Sequence, residues 1–143
     1  FNPPEGWEGW GYAYSPHSGV VDFHLPDNHK KAGLVIWYGR SKGLQPIDIK
    51  KVAEDVLKGF QQNDSGVLPF THLVSHKSRK VNGMDAYEIV YARTSNGNTT
   101  YKFKEIFVAK WNMLIRITYY AEEEYYDIYE PYVEKSIESL VIV

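Results

Sequence analysis

Asp22 and His24 are the residues whose types and spacing come closest to a reactive site. Two apart on a strand, they share one face, and His17 and His29 stand in the flanking loops. Such nitrogen and oxygen donors suit zinc or another divalent ion. The default for these four is the polar residues of a solvated surface, with a metal site as the alternative for which they stand as candidate ligands. His72 and His76 have the four-residue spacing that puts two ligands on one helix face. They lead into Asn82-Gly83, a hairpin signal, and four residues of strand cover about 13 Å, too far for one ion.

Gly39-Arg40-Ser41-Lys42-Gly43 spells a nucleophile elbow. An elbow needs a helix that starts at its serine and a mostly parallel sheet behind it. Here Gly43, Leu44 and Gln45 precede Pro46, and most strands are joined by hairpins. Lys77, Ser78, Arg79 and Lys80 form a basic cluster that could steer an acidic partner, though such a run is more often a solvated hairpin tip, the expected reading here.

The elements that must position these residues begin with the meander. Asn82-Gly83, Asn96-Gly97 and a less defined turn near Lys110-Trp111-Asn112 divide Phe70 to Ala121 into four antiparallel strands. Two-residue turns pair Val81 with Met84 and Ser95 with Asn98. On that register Lys77 faces Glu88, Glu88 faces Glu105, and a turn at Lys110-Trp111 sets Arg116 opposite Glu105. Facing carboxylates are an acid and base couple in principle, because like charges push their pKa values apart. With a basic neighbour beyond each acid, the expectation is a structural ion row worth roughly 0.2 to 1 kcal/mol per pair.

Met113 to Ala121 alternates with the period of a strand and runs into a closing helix. Glu122, Glu123 and Glu124 suit that helix's N-terminus, Tyr129, Val133, Ile137 and Leu140 its apolar face, and Pro131 is expected to kink or divide it. A second helix follows Pro46, with Ile49, Val52, Ala53, Val56, Leu57 and Phe60 on one face. Val20 to Leu25 reads as a short strand, and the apolar run Ala32 to Tyr38 as a strand covered on both faces. Phe1 to Tyr14, rich in proline and glycine, reads as a non-regular lead-in. Either its Trp7 and Trp10 cover one end of the core, or Trp7, Trp10, Tyr12 and Tyr14 form an aromatic platform for sugar or a membrane interface. Tyr120, Tyr125, Tyr126 and Tyr129 are further candidates for a binding surface.

Composition bounds the class of protein. The 143 residues are 43% hydrophobic, enough for one domain over residues 1–143 to bury a core. A net charge of -2 argues against nucleic-acid binding, and the absence of cysteine removes disulfides and thiolate chemistry. No apolar run approaches a membrane-spanning length. Sequons at Asn63 and Asn98 are compatible with export.

Two stretches resemble PsbP-like domains: the opening Phe1 to Trp7 (FNPPEGW), and the end from Ile117 to Leu140 (ITYYAEEEYYDIYEPYVEKSIESL), where Ser139-Leu140 stands in place of a Ser-Phe. The middle matches in layout. The resemblance implies an α+β fold, an α/β/α sandwich with a central twisted antiparallel sheet of six or seven strands and two main helices. It implies no catalytic residues and no cofactor. The expected role is a non-enzymatic, extracytoplasmic domain that binds or stabilises a protein partner, anchored as a lipoprotein through a segment absent from this chain. A photosynthetic role does not carry over. The alternative is a carrier of a small ligand or metal such as zinc, in a cleft between sheet and helix.

Overall fold

The alternation read from Met113 onward folds as a strand that ends where its three glutamates begin, and the other strands assemble around it. The computed structural model describes residues 1–15, 18–25, 32–41, 43, 45–62, 71–95 and 98–141. In chain order the elements are β1 (Glu8–Ser15), β2 (Ser18–His24), β3 (Ala32–Arg40), α1 (Ile49–Gln62), β4 (Thr71–Val81), β5 (Met84–Thr94), β6 (Thr100–Lys110), β7 (Met113–Glu122) and α2 (Glu123–Ile137). The strands form one antiparallel sheet in the order β1-β2-β3-β7-β6-β5-β4. One helix lies on each face, giving the α/β/α layering.

The core lies between the sheet and α2. Leu34, Ile36, Ile106, Val108, Ile117 and Tyr119 on the strands meet Tyr126, Val133 and Ile137 on the helix. Glu123 and Glu124 occupy the first turn of α2, where the helix dipole favours negative charge. Pro131 does not divide the helix: α2 is continuous from Glu123 to Ile137. Proline costs one backbone hydrogen bond, and the packed residues either side of it, Tyr126, Val133 and Ile137, hold the helix to the sheet.

On the other face, α1 starts at Ile49, three residues after Pro46, and Asp48 just before it accepts a hydrogen bond from the Lys50 amide at 3.0 Å. It lies over β5 and β6. Below it runs a row of rings, with Phe60 to Tyr91 at 4.9 Å, Tyr91 to Phe103 at 4.8 Å and Phe103 to Tyr120 at 6.2 Å. Tyr120 ends the row directly across Gly33, so close that a Cβ there would stand 2.2 Å from the tyrosine hydroxyl. Because α1 stops short of β1, β2 and β3, the apolar run in β3 is covered on one face only. Leu34 and Ile36 are buried, while Trp37 is 40% exposed.

The strand registers correct the sequence reading in two places. Val81 pairs with Met84 as expected, and Asn82 and Gly83 take the positive φ values that a type I′ turn needs. The next hairpin closes with Thr94 against Thr100 instead, which leaves residues 95–99 in the connection; Asn96 and Gly97 lie outside the described residues. This one-residue slip sets Glu88 opposite Ile106 and turns Glu105 to the other face. In the last hairpin Lys110 pairs with Met113 around a Trp111-Asn112 turn, so Arg116 faces Phe107. The expected row of four charges is therefore two separate groups, Lys77 with Glu88 on the α2 face and Glu105 with Arg116 on the α1 face. The lead-in is also more regular than expected, since Glu8–Ser15 pairs with β2 as an edge strand.

Trp111 adopts φ 54°, while its turn partner Asn112 does not take a positive φ. That arrangement favours glycine at the first central position, and a bulky residue there is strained. Trp111 is 72% exposed, so its ring gains little packing in return. Trp111→Gly should therefore stabilise the protein by about 0.5 to 1 kcal/mol. The expected readout is a higher urea midpoint with an unchanged slope.

Candidate binding face and the charged cleft

Two places gather the candidate residues. The first is the half of the sheet that α1 leaves open. Strand alternation and the observed register put Glu8, Trp10 and Tyr12 of β1, Val20, Asp22 and His24 of β2, and Val35 and Trp37 of β3 on this face. Trp10 lies directly opposite Asp22, and Tyr12, Val20 and Trp37 stand level across three strands. Trp10 is 56% and Tyr12 60% exposed. At the inner margin Arg116 pairs with Glu105, which is buried and also accepts a hydrogen bond from Thr118 at 3.4 Å.

Asp22 and His24 share this face, as their spacing requires, with Asp22 Oδ1 3.6 Å from His24 Nδ1. The other ring nitrogen, Nε2, stands 3.9 Å from Glu8. The two carboxylates thus address opposite sides of one imidazole, which is not how three ligands surround an ion. Among the described residues no three His, Asp or Glu side chains gather to hold a metal. His17 and His29 lie outside the described residues.

The remaining aromatic candidates do not join Trp10. Trp7 is half-buried and packs edge-on to Tyr129 at 6.1 Å, beside the core. Tyr126 is buried, its backbone carbonyl accepting a hydrogen bond from Tyr119 at 2.8 Å. Tyr125 is half-buried on α2, and Tyr120 is half-buried over Gly33. The residues the sequence reading missed on the open face are Glu8 and Trp37. Their signal was the alternation Glu8, Trp10, Tyr12 with Gly9, Gly11 and Ala13 between them, a strand pattern masked by its glycines.

The second place is a cleft of about 400 Å³ between β4, β5, β6 and α2. Arg79, expected at a solvated hairpin tip, is instead largely enclosed at its floor. It donates to both Glu134 oxygens at 2.9 and 3.1 Å, to Glu88 at 2.9 Å and to Glu138 at 3.0 Å. Lys104, buried beside it, reaches Glu134 at 2.8 Å and Glu130 at 3.2 Å. Burial works against the charge on Arg79 and Lys104, and the carboxylates around them outweigh it, holding both pKa values above the ordinary range. For Glu134, burial alone would raise the pKa; the hydrogen bonds from Arg79 and Lys104 win and lower it. Tyr126 lines the same cleft with Lys102 Nζ 4.5 Å above its ring, and its hydroxyl has no hydrogen-bond partner among the described residues.

No family model matches the chain, and no curated protein matches it. Solved structures do. LpqN, involved in cell envelope biogenesis in Mycobacterium tuberculosis, superposes with a TM-score of 0.69 over 97% of this chain and 79% of its own, at 14% identity. PA94 of Pseudomonas aeruginosa, a protein of unknown function and candidate regulator, gives 0.66 at 18% identity over 95% of this chain and 98% of that one. Cyanobacterial PsbP from Synechocystis sp. PCC 6803 gives 0.63 at 16% identity, covering 95% and 81%. The chain has the PsbP-like fold.

Glu134 bridges both buried cations, so its removal leaves each of them short of a partner. Glu134→Ala should cost about 3 kcal/mol in chemical denaturation. Since the folded pKa of Glu134 lies below the ordinary 4.5, its contribution is complete above that value and disappears as pH falls through the folded pKa. Thermal melts taken at descending pH should show the wild type losing stability through this acid window more steeply than Glu134→Gln.

Proposed function

We propose that this PsbP-like chain is a non-catalytic binding domain that docks a protein partner on the open half of its sheet. The observation that carries this reading is the exposed group Trp10, Tyr12 and Trp37 on a face that α1 leaves uncovered. Aromatic residues of this kind are the usual anchors of protein interfaces, because they remove large apolar areas from water at low entropic cost. The charged groups elsewhere support it too: Glu105 with Arg116, and Arg79 and Lys104 with their glutamates, are paired as structural ties rather than poised as an acid, base or nucleophile. We further propose an extracytoplasmic setting with lipoprotein anchoring. Support for the setting is the shared fold with cyanobacterial PsbP and with LpqN, described as involved in cell envelope biogenesis.

A second reading, a carrier of a small ligand, draws on the cleft beneath α2 and on the unpaired hydroxyl of Tyr126. Its charged lining is already neutralised from within, which puts it behind the docking reading. A thermal-shift screen against divalent metals and small polar ligands decides it. A rise of several degrees for one compound, abolished in Tyr126→Phe, would establish the carrier.

For the leading reading, the double variant Trp10→Ala, Trp37→Ala should keep its melting temperature within a few degrees, since both rings are exposed. Crosslinking in the native host, read by mass spectrometry, should find a partner with wild type and lose at least about nine-tenths of it with the double variant, as for interface anchors. Equal capture by both proteins would refute docking on this face.

A further inference from the structure

We propose that the open edge of β1 takes up an extended segment of the partner carrying arginine or lysine at alternate positions, and that Trp10, Asp22 and Glu8 read those cations. This rests on the protein-docking reading and names the chemistry of the partner. Three independent features of the N-terminal hairpin converge on it.

The first is the edge itself. Among the described residues β1 pairs only with β2, and from Glu8 to Ala13 its side chains are exposed on both faces. Proteins protect such edges with lysine, proline or a cover. The opposite edge, β4, carries Lys77, Arg79 and Lys80 and a register break near Val74. β1 has no proline and no basic residue, and its register break lies at its far end, between Ala13 and Ser15. A strand can therefore be added along Glu8 to Gly11 by backbone hydrogen bonds.

Charge supplies the second feature. Residues 1–29 contain four carboxylates, Glu5, Glu8, Asp22 and Asp27, and no lysine or arginine, whereas all 16 basic residues of the chain follow. Within β1 and β2 the carboxylates are Glu8 and Asp22, with no lysine or arginine, so the hairpin is an acidic edge on a nearly neutral domain and attracts a cationic partner. The same distribution disfavours a second copy of the chain, which would bring one acidic hairpin against another.

Geometry gives the third. Glu8, Trp10 and Tyr12 project on one face of β1, and Asp22 stands beside Trp10 one strand further in. An arginine of the added strand opposite Trp10 can lay its guanidinium across the indole and reach towards Asp22, combining cation–π attraction with a carboxylate. The residue two positions along meets Glu8. Side chains of the other parity face Gly9, Gly11 and Ala13, which leave room for any residue.

The test uses calorimetric titration of the whole domain at low salt with an eight-residue peptide alternating threonine and arginine. Controls replace arginine by glutamine, or N-methylate every second residue so that one peptide edge cannot pair. Arginine-peptide binding about tenfold or more tighter than the glutamine peptide, weakened at least about fivefold by Trp10→Ala and by Asp22→Asn, and abolished by N-methylation, supports the proposal. Both variants sit at exposed or half-exposed positions, and melting curves confirm that they fold. Equal binding of arginine and glutamine peptides, no binding of either, or sedimentation of the domain as a dimer built on β1 overturns it. Partner capture that needs Trp10 and Trp37 but is not competed by the arginine peptide overturns this inference alone. Capture indifferent to Trp10 and Trp37 overturns the docking reading beneath it.

Discussion

Nine residue pairs, from Ala32 with Ala121 to Arg40 with Met113, join the two halves of the sheet. On one side of that seam lies the hairpin of β1 and β2; on the other, the meander of β4 to β7. The pairing is highly non-local in sequence, so its closure carries a large entropic cost before any contact rewards it. What rewards it is α2. The helix leaves β7 directly and packs across β7, β3 and β6, so that Leu34 and Ile36 from one half and Ile106, Ile117 and Tyr119 from the other share its apolar stripe. Both halves depend on that stripe, and neither has an equal cover elsewhere.

The second helix is placed differently, and function follows from the difference. α1 makes its main contacts with β5 and β6, where the rings of Phe60, Tyr91 and Phe103 stack beneath it. On the same face, among the described residues, β1, β2 and β3 carry Trp10, Tyr12 and Trp37 exposed to solvent. An α/β/α sandwich that is complete on one side and half-complete on the other leaves an aromatic platform beside an edge strand. The charged cleft under α2 does the opposite work. Arg79 and Lys104 of the sheet and Glu130, Glu134 and Glu138 of the helix satisfy one another, which fixes the helix on the far strands where apolar contact thins out.

Much of this was legible in the sequence, for physical reasons that differ by element. The strand-to-helix passage at Glu122 was clear because an alternating pattern met a run of carboxylates, and the Asn82-Gly83 turn because few other dipeptides adopt two positive φ angles. The antiparallel meander followed from the turns, and the layering from the resemblance to PsbP-like domains. Registers did not. An Asn-Gly pair at 96 and 97 looked equivalent to the one at 82 and 83, yet the strands stop at Thr94 and Thr100, and a shift of one residue exchanges the faces of Glu88 and Glu105. Burial of Arg79 was equally invisible, since a basic run beside a turn is usually solvated and only α2, more than fifty residues later, encloses it. On the candidate face, the closeness of Asp22 and His24 was legible from their two-residue spacing on one strand, and that of Trp10 to Asp22 was not. Their grouping needed β1, whose glycines hid its strand character.

The two ends of the described chain meet. The Asn2 amide donates to the Ser139 hydroxyl at 2.7 Å, and Asn82 at the β4–β5 turn donates to the Leu140 carbonyl at 2.9 Å, so the first residues, the last helix and the far hairpin are fastened at one point. Mechanically, tension applied through Asn2 and Ser139 is first met at this junction, by their hydrogen bond and by the stacking of Phe1 on Phe23, while the strands of the seam are held behind it. A domain wired in this way can be pulled upon from its ends and yield at the fastening before its sheet is loaded.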